Sequence, residues 1–393
     1  MSRRLTLLFA IAGGAAVGNL YWAQPLLDFI ARDLRTDTAV AGALVTATQL
    51  GYALGVLLLV PLGDVLNRRV LVPVALLCAA VALLASALAP TFAVLLVTLA
   101  LVGLTTVAGQ ILAPLAGDLA DDADRGRVVG TVVSGILVGI LVSRTVSGLI
   151  AGALGWRAIY VFAAVLAVVL AALLARAIPH LEPRTRLAYP ALIGSVFGIV
   201  RRESAVRWSL LLGGTSFGVF TLFWTALTFL LSAPPFSYSV TVIGLFGLVG
   251  LAGAITAQRA GHLHDRGLAL HGIGVAWLLV LAAFVVAGFG SRSTVVVIVA
   301  ILLLDVAIQG HNILVQSRMF QVDPSARSRI NTAFITNNFV WGAVGSGLAA
   351  FLWAHGGWTA VTIAGAVGSG FAFTVWAVGR RGPLQVAAAD GAR

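Results

Sequence analysis

Residues 39–69 read AVAGALVTATQLGYALGVLLLVPLGDVLNRR. From Ala39 to Pro61 there is no charge; the chain then emerges through Gly63-Asp64 to the basic pair Arg68-Arg69. A helix of about 20 apolar residues crosses a hydrocarbon core of roughly 30 Å. This stretch is therefore long enough to span a bilayer, and the polar residues after it mark the return to water. The same alternation recurs along the whole chain. Of 393 residues, 60% are hydrophobic and 10% charged, against about 25% charged in an average soluble protein. A water-soluble domain would have to expose most of this apolar surface, which excludes that class.

Spans are expected at 6–28, 39–61, 70–89, 92–116, 128–153, 157–177, 208–231, 239–259, 269–290, 293–317, 330–354 and 357–378. Their breaks are polar or turn-forming: Arg32 to Thr38, Asn67-Arg68-Arg69, Ala89-Pro90-Thr91, Pro234-Pro235 and His355-Gly356-Gly357. Lipid offers no partners to backbone N–H and C=O groups, so spans of this length must be helices. The expected fold is an all-α membrane protein with twelve transmembrane helices in two pseudo-symmetric six-helix bundles. Residues 1–177 form the first bundle, 178–207 a cytoplasmic linker, 208–380 the second bundle and 381–393 a tail.

The net charge is +11, and every basic residue is an arginine. Counted from the N-terminus, alternate connections carry 20 arginines, whereas the intervening ones carry only Arg32, Arg35, Arg157 and Arg292. That asymmetry predicts both termini in the cytoplasm and a multi-pass protein of the inner membrane. Charge scattered among short loops is an orientation signal and excludes nucleic acid as a partner. Cys78 is the only cysteine, so no intramolecular disulfide framework exists. Ser2-Arg3-Arg4 and the following apolar run imitate a secretory signal, but no small-residue cleavage site follows, and the run is read as an uncleaved first span. There is no lysine-bearing phosphate loop, zinc motif or nucleophile elbow. No metal, cofactor or enzymatic role is expected, and an ATP-driven pump is disfavoured.

The halves echo each other at an offset of about 201 residues. Asp121-x-x-x-Arg125-x-Arg127 falls opposite Asp323-x-x-x-Arg327-x-Arg329, Gly63-Asp64 with Arg68 and Arg69 opposite Gly261 to Gly267, Thr131 opposite Thr332, Trp156 opposite Trp358, and Trp22 opposite Trp224. Several matches at one offset indicate duplication. Parallel six-helix repeats joined by a longer loop are one of the established transporter plans.

On these residues the chain resembles the major facilitator superfamily along nearly its whole length. Asp64, Arg68 and Arg69 fit that family's loop between spans 2 and 3, with Val60, Val65 and Asn67 replacing other motif positions. The Asn19-Leu20-Tyr21-Trp22-Ala23-Gln24-Pro25 start, Gln49-Leu50-Gly51-Tyr52 and Pro61-Leu62-Gly63-Asp64 resemble the drug:proton antiporter-like branch of bacterial exporters. Two positions depart from it. Leu99 stands where many members have a span-4 arginine before Gly103. The span-5 antiporter stretch reads Gly139-x-x-x-Ser143-Arg144-x-x-Ser147-Gly148, with arginine in place of proline.

Arg144 is the most unusual residue. A charge near mid-membrane costs roughly 2.5–3.5 kcal/mol even on the mildest scale, so it should face the bundle interior. It interrupts a small-residue stripe, Gly135, Gly139, Ser143, Ser147 and Ala151. It reads as an anchor for an anionic substrate, a counter-ion for a coupling carboxylate, or half of a structural ion pair. Asp305, also near mid-span, is its expected partner and the proton-coupling candidate. Gln309, Asn312 and Gln316 follow Asp305 on the same helical face, with His311 beside it as a further proton-coupling candidate. Cavity candidates are Asn19, Trp22 and Gln24 on span 1, Gln49 and Tyr52 on span 2, Gln110 on span 4, Trp224 on span 7, Gln309 and Asn312 on span 10, and Asn338 on span 11. Asp64, Arg68, Arg69 and Asp118, with Asp265 and Arg266, are expected to form a cytoplasmic gate, Asp118 pairing with Arg68. The expected partners are a small-molecule substrate, protons and the lipid bilayer, with the chain acting as a monomer. The leading expectation is proton-coupled export of a small organic compound by alternating access. The alternative is coupled or facilitated uptake of a small anionic metabolite, and a remote one is a non-transporting membrane sensor or scaffold.

Overall fold

The computed structural model describes residues 1–180, 188–250, 268–323 and 326–385. Every regular element among them is helical. In chain order they are α1 (Arg3–Gly18), α2 (Leu27–Asp33), α3 (Thr38–Ala41), α4 (Ala43–Leu59), α5 (Leu62–Val65), α6 (Arg68–Ala87), α7 (Phe92–Thr105), α8 (Ala108–Leu119), α9 (Arg125–Leu154), α10 (Trp156–Ala177), α11 (Tyr189–Arg202), α12 (Ser204–Ser232), α13 (Val240–Val249), α14 (Ala269–Gly288), α15 (Thr294–Val322) and α16 (Arg327–Gly379). Among the described residues, nine helical segments are long and apolar enough to cross a membrane. The longest, α16, has 53 residues and would measure about 80 Å if straight. It reverses at Gly357, whose φ of 59° and ψ of −153° interrupt the helical path. A side chain would be strained at that φ, which is why the polar break at His355-Gly356-Gly357 turns the chain.

Helix starts carry polar side chains that satisfy N–H groups otherwise left without partners. Ser2, Asp37, Asn67, Thr91, Ser239 and Ser293 each accept from an N–H in the first turn that follows. The lipid-facing surface inverts the pattern of a soluble protein. Val81 on α6, Val165 on α10, Val275 on α14 and Val367 on α16 all point outward and are exposed. By contrast, α12 is buried nearly all round and runs through the middle of the molecule.

Apolar packing separates along the chain. One buried cluster runs from Val196 to Leu384; two others draw on residues up to Ile178, joined by Phe339 in one and Phe229 in the other. Within the first part, α1 packs on α9, α4 on α7 and α6 on α10. Within the second, α12 packs on α16 and α14 on α15. The two parts meet where α4 faces α16 and α9 faces α13. The α9–α13 seam is glycine to glycine: a methyl added at Gly148 would sit 2.6 Å from the Val240 carbonyl oxygen, so only glycine permits this approach. Hydroxyls lace the seam in both directions, Thr145 donating to the Gly244 carbonyl at 3.0 Å and Thr241 to the Gly148 carbonyl at 3.2 Å. At the α4–α16 contact Thr46 and Ser346 are 2.8 Å apart. These contacts lie toward the end of the molecule remote from Met1.

Several sequence expectations are redrawn. Span 1 is not one helix: α1 stops at Gly18, residues 19–26 wind tightly, and α2 resumes at Leu27. Span 4 is likewise divided into α7 and α8 at Thr106-Val107. The 178–207 connection contains the amphipathic helix α11, whose Tyr189 hydroxyl donates to the Leu58 carbonyl. The Gly261–Gly267 copy of the loop motif, the latter part of the 239–259 span, and Asp265 and Arg266 lie outside the described residues.

Candidate functional site

The irregular segment of span 1 is where the site begins. The N–H groups of Asn19, Leu20, Tyr21, Gln24 and Leu26 all bond three residues back rather than four. In that winding the Trp22 carbonyl would accept from residue 25, but Pro25 has no N–H. Ser147 of α9 supplies the missing donor, 2.6 Å away. Thr228 of α12 donates to the Gln24 carbonyl at 3.0 Å. Irregular backbone at membrane depth is tolerated because neighbouring hydroxyls satisfy it.

The break aims Gln24 at Arg144. The Arg144 Nε donates to Gln24 Oε1 at 2.8 Å. Its guanidinium carbon lies 4.2 Å from the centre of the Trp224 ring, 4.9 Å from that of Tyr21 and 5.8 Å from that of Phe220. Arg144 is only 2% exposed, yet neither terminal nitrogen has a hydrogen-bond partner. Asp305 of α15, also 2% exposed, meets the same Trp224 at its indole N–H. The indole N–H donates to Asp305 Oδ1 at 3.3 Å, while Oδ2 has no partner. Among the described residues no ion pair within 4.0 Å reaches either group. The sequence expectation of two facing charges is thus met in proximity but not in contact, because Trp224 stacks on one and bonds the other. A methyl at Gly250 would fall 2.7 Å from Asp305 Oδ2, so glycine keeps that oxygen open. A cavity of about 10 Å³ lies beside Arg144, walled by Gln24, Pro25, Trp224 and Thr228.

A second polar layer lies about 10 Å nearer the terminal end, two helical turns along α15. There Gln110 donates to the Tyr52 hydroxyl at 3.0 Å, and Ser216 approaches Asn312 Oδ1 at 3.5 Å. Gln49 Oε1 and Asn338 Oδ1 are buried without partners. Phe339 packs at 4.4 Å from Tyr52 and 4.7 Å from Phe217, joining the two parts of the chain by aromatic contact. Gln309 is half-buried on the same face of α15 as Asp305 and Asn312.

Not every candidate joins these layers. His311 turns toward α14, where its ring packs edge-on against Trp277 at 4.9 Å, and both of its nitrogens are without partners. Trp22 donates to Asn19 Oδ1 at 2.8 Å, and Asn19 reaches Thr106 at 3.4 Å, so this pair tethers the two helix breaks. A cavity of about 320 Å³ opens on the lipid-facing side between α1, α9 and α10; its wall includes Trp22 but no charged residue. Sequence reasoning did not find Thr106, Thr145, Thr241 or Trp277. For the threonines the available signal was a hydroxyl residue close to a packing glycine or a helix break; for Trp277 there was none.

At the terminal end, Arg68 is buried and donates to Asp118 Oδ2 and to the Gly63 carbonyl, both at 2.6 Å. This pair, expected from sequence, joins the start of α6 to the end of α8 within the first part of the chain. Arg69 reaches the Ala175 carbonyl at 3.4 Å, and Asp64 lies at the end of α5.

Residues 9–346 match the model of the Major Facilitator Superfamily. The chain is 44% identical to a protein of Escherichia coli (strain K12) described as the uncharacterized transporter YgaY, over 364 residues, covering 93% of this chain and 92% of that one. Its fold is similar to the nucleoside transporter NupG, with a TM-score of 0.77 at 16% identity over 95% of this chain and 99% of that one. It is also similar to a D-xylose–proton symporter, with a TM-score of 0.70 at 14% identity over 94% and 97% of the two chains.

Proposed function

The chain belongs to the Major Facilitator Superfamily, and from that premise we propose that it takes up a small organic anion by alternating access, using Arg144 as the anchor for the anionic group. It is a membrane transport protein of a non-enzymatic family, carrying a small molecule as secondary carriers do. The observation that supports the anion reading is Arg144 itself: buried, steered by Gln24 and stacked on Trp224, with both terminal nitrogens unpartnered. A guanidinium fork offered in this way suits a carboxylate, which it can hold bidentately. Uptake with a proton is supported by the proton symporter among the solved folds similar to this one.

In this reading twelve spans form two six-helix bundles, residues 1–177 and 208–380, joined by the 178–207 linker. The count comes from the nine apolar segments, the division of α16 at Gly357, the interrupted first span, and the span that begins with α13. Arginine asymmetry puts both termini in the cytoplasm. The bundles are then held together on the outer side by the α9–α13 and α4–α16 contacts. Room for a solute comes from their relative rocking, with Arg68–Asp118, Asp64 and Arg69 bracing the inner end. Asp305 exchanges the coupling proton. Export by a drug:proton antiporter-like cycle is the second reading, favoured by the Asn19–Pro25 and Gln49–Asp64 runs.

Flux of organic monocarboxylates into proteoliposomes, with and without an imposed pH gradient, tests the proposal. Arg144→Gln should lower carboxylate flux about 10- to 100-fold, matching the loss of a charge-assisted contact of about 1.5–3 kcal/mol. Unchanged flux in that variant would refute the anchor. Gradient-driven flux that survives Asp305→Asn would remove Asp305 from coupling. Everted vesicles with an acidified lumen separate the two directions: an exporter accumulates solute inside, an importer releases it.

A further inference from the structure

We infer that the solute carries an amino group as well as a carboxylate, and that Asp305 receives it. This rests on the reading of Arg144 as the anchor of an anionic group and narrows the carboxylates that site accepts to those that also carry an ammonium group.

Buried opposite charges normally pair directly, because a charge left alone in a low-dielectric interior is costly. Here they do not. Both are 2% exposed, and each keeps open valences: Nη1 and Nη2 on Arg144 and Oδ2 on Asp305. Trp224 touches both instead, its ring centre 4.2 Å from the guanidinium carbon and its N–H 3.3 Å from Asp305 Oδ1. A purely structural ion pair would close this gap with a bidentate contact. A simple anion would satisfy Arg144 and leave Asp305 uncompensated, and a simple cation would do the reverse. A zwitterion satisfies both and adds no net charge. Gly250 is placed to allow this, since a methyl there would crowd Oδ2 at 2.7 Å. The rings of Tyr21 and Phe220 near the guanidinium supply apolar contact for the body of the solute.

Three molecules of one shape isolate the two charges: phenylalanine, 3-phenylpropionate without the amino group, and phenethylamine without the carboxylate. Their binding to the purified wild-type protein in lipid nanodiscs would be measured by thermal shift and by titration. Other α-amino acids, each with its des-amino and decarboxylated counterpart, extend the panel. The expected result is an amino acid bound at least tenfold more tightly than either counterpart. Asp305→Asn should erase the preference over the des-amino acid, and Gly250→Ala should weaken the amino acid more than the des-amino acid. Equal binding of the amino acid and its des-amino counterpart overturns the zwitterion inference and leaves the anion anchor standing. An amine that binds as tightly as the amino acid overturns the anchor as well. If no member binds, carboxylates included, both fall.

Discussion

Trp22 and Trp224 occupy corresponding places in the two halves of the sequence, yet they do different things. The span around Trp22 is broken: its backbone winds tightly from Asn19 to Leu26, and the indole bonds Asn19 of the same segment at 2.8 Å. The span around Trp224 is an unbroken helix of 29 residues, and its indole reaches across to Asp305 on α15. One tryptophan stabilises a kink; the other stacks on one charge and bonds a second. The two stretches correspond in sequence, yet differences at a few positions give them unlike surroundings. Pro25 has Leu227 as its counterpart, and that single change removes an N–H on one side and retains it on the other.

The comparison breaks most easily at the indole nitrogens. Trp224→Phe keeps a ring over Arg144 but removes a donor to a carboxylate, worth about 1.5–3 kcal/mol. Coupled transport should fall about 10- to 100-fold. Trp22→Phe removes a neutral bond within one segment, worth about 1 kcal/mol, and should change transport about fivefold or less. Equal effects in a flux assay would show that the two residues are not functionally distinct.

The backbone difference gives a smaller effect, read in stability. Ser147→Ala strands the Trp22 carbonyl, which Pro25 cannot serve, and should cost about 1–3 kcal/mol of unfolding free energy. Thr221→Ala is the control on the continuous helix. Its hydroxyl donates to the Phe217 carbonyl, which lies within a regular helix, so its loss should cost clearly less. Thermal or denaturant unfolding in detergent checks both.

The smallest effect concerns the second duplicated pair. Trp156 donates to Asp33 at 2.9 Å, whereas Trp358 donates to the neutral Ala287 carbonyl at 2.7 Å. The Trp156 bond, with that from Arg157, holds the Asp33 carboxyl below its usual value of 3.8. A depressed carboxylate contributes stability above its unfolded value and loses it as pH falls through the folded one. Acidification from about pH 5 to about pH 3 should therefore lower the melting temperature of the parent more than that of Asp33→Asn. Trp156→Phe should reduce that acid sensitivity, and Trp358→Phe should leave it intact. Because Asp33 is partly exposed and screened, the shift should be small.

Legibility in the sequence varied with the physics involved. The positions of α6, α9, α10 and α14 could be read within a few residues, because the length of an apolar run is set by the bilayer and not by neighbours. The Arg68–Asp118 pair was also legible, since charges flanking two short loops have few partners within reach. The breaks at residues 19–26 and 106–107 were not, although Pro25 lies in one. An apolar run containing one proline fits either a bent helix or a broken one, and the choice depends on whether Ser147 and Thr228 stand close enough to serve the freed carbonyls. His311 and Asp305 looked alike as buried titratable residues on one helix. About 100° of rotation per residue sends the first to Trp277 and the second to Trp224.

The sequence by itself determined that lipid surrounds most of this chain, that its spans are helices, and that Arg144 and Asp305 lie within apolar spans. Those conclusions need only local composition, spacing and the cost of unpaired polar groups in hydrocarbon. Only the tertiary structure decided that Arg144 and Asp305 stand near each other without touching. The side chain that contacts both comes from a third helix, and no pattern along one strand of sequence specifies which of two neighbours an indole stacks on and which it bonds.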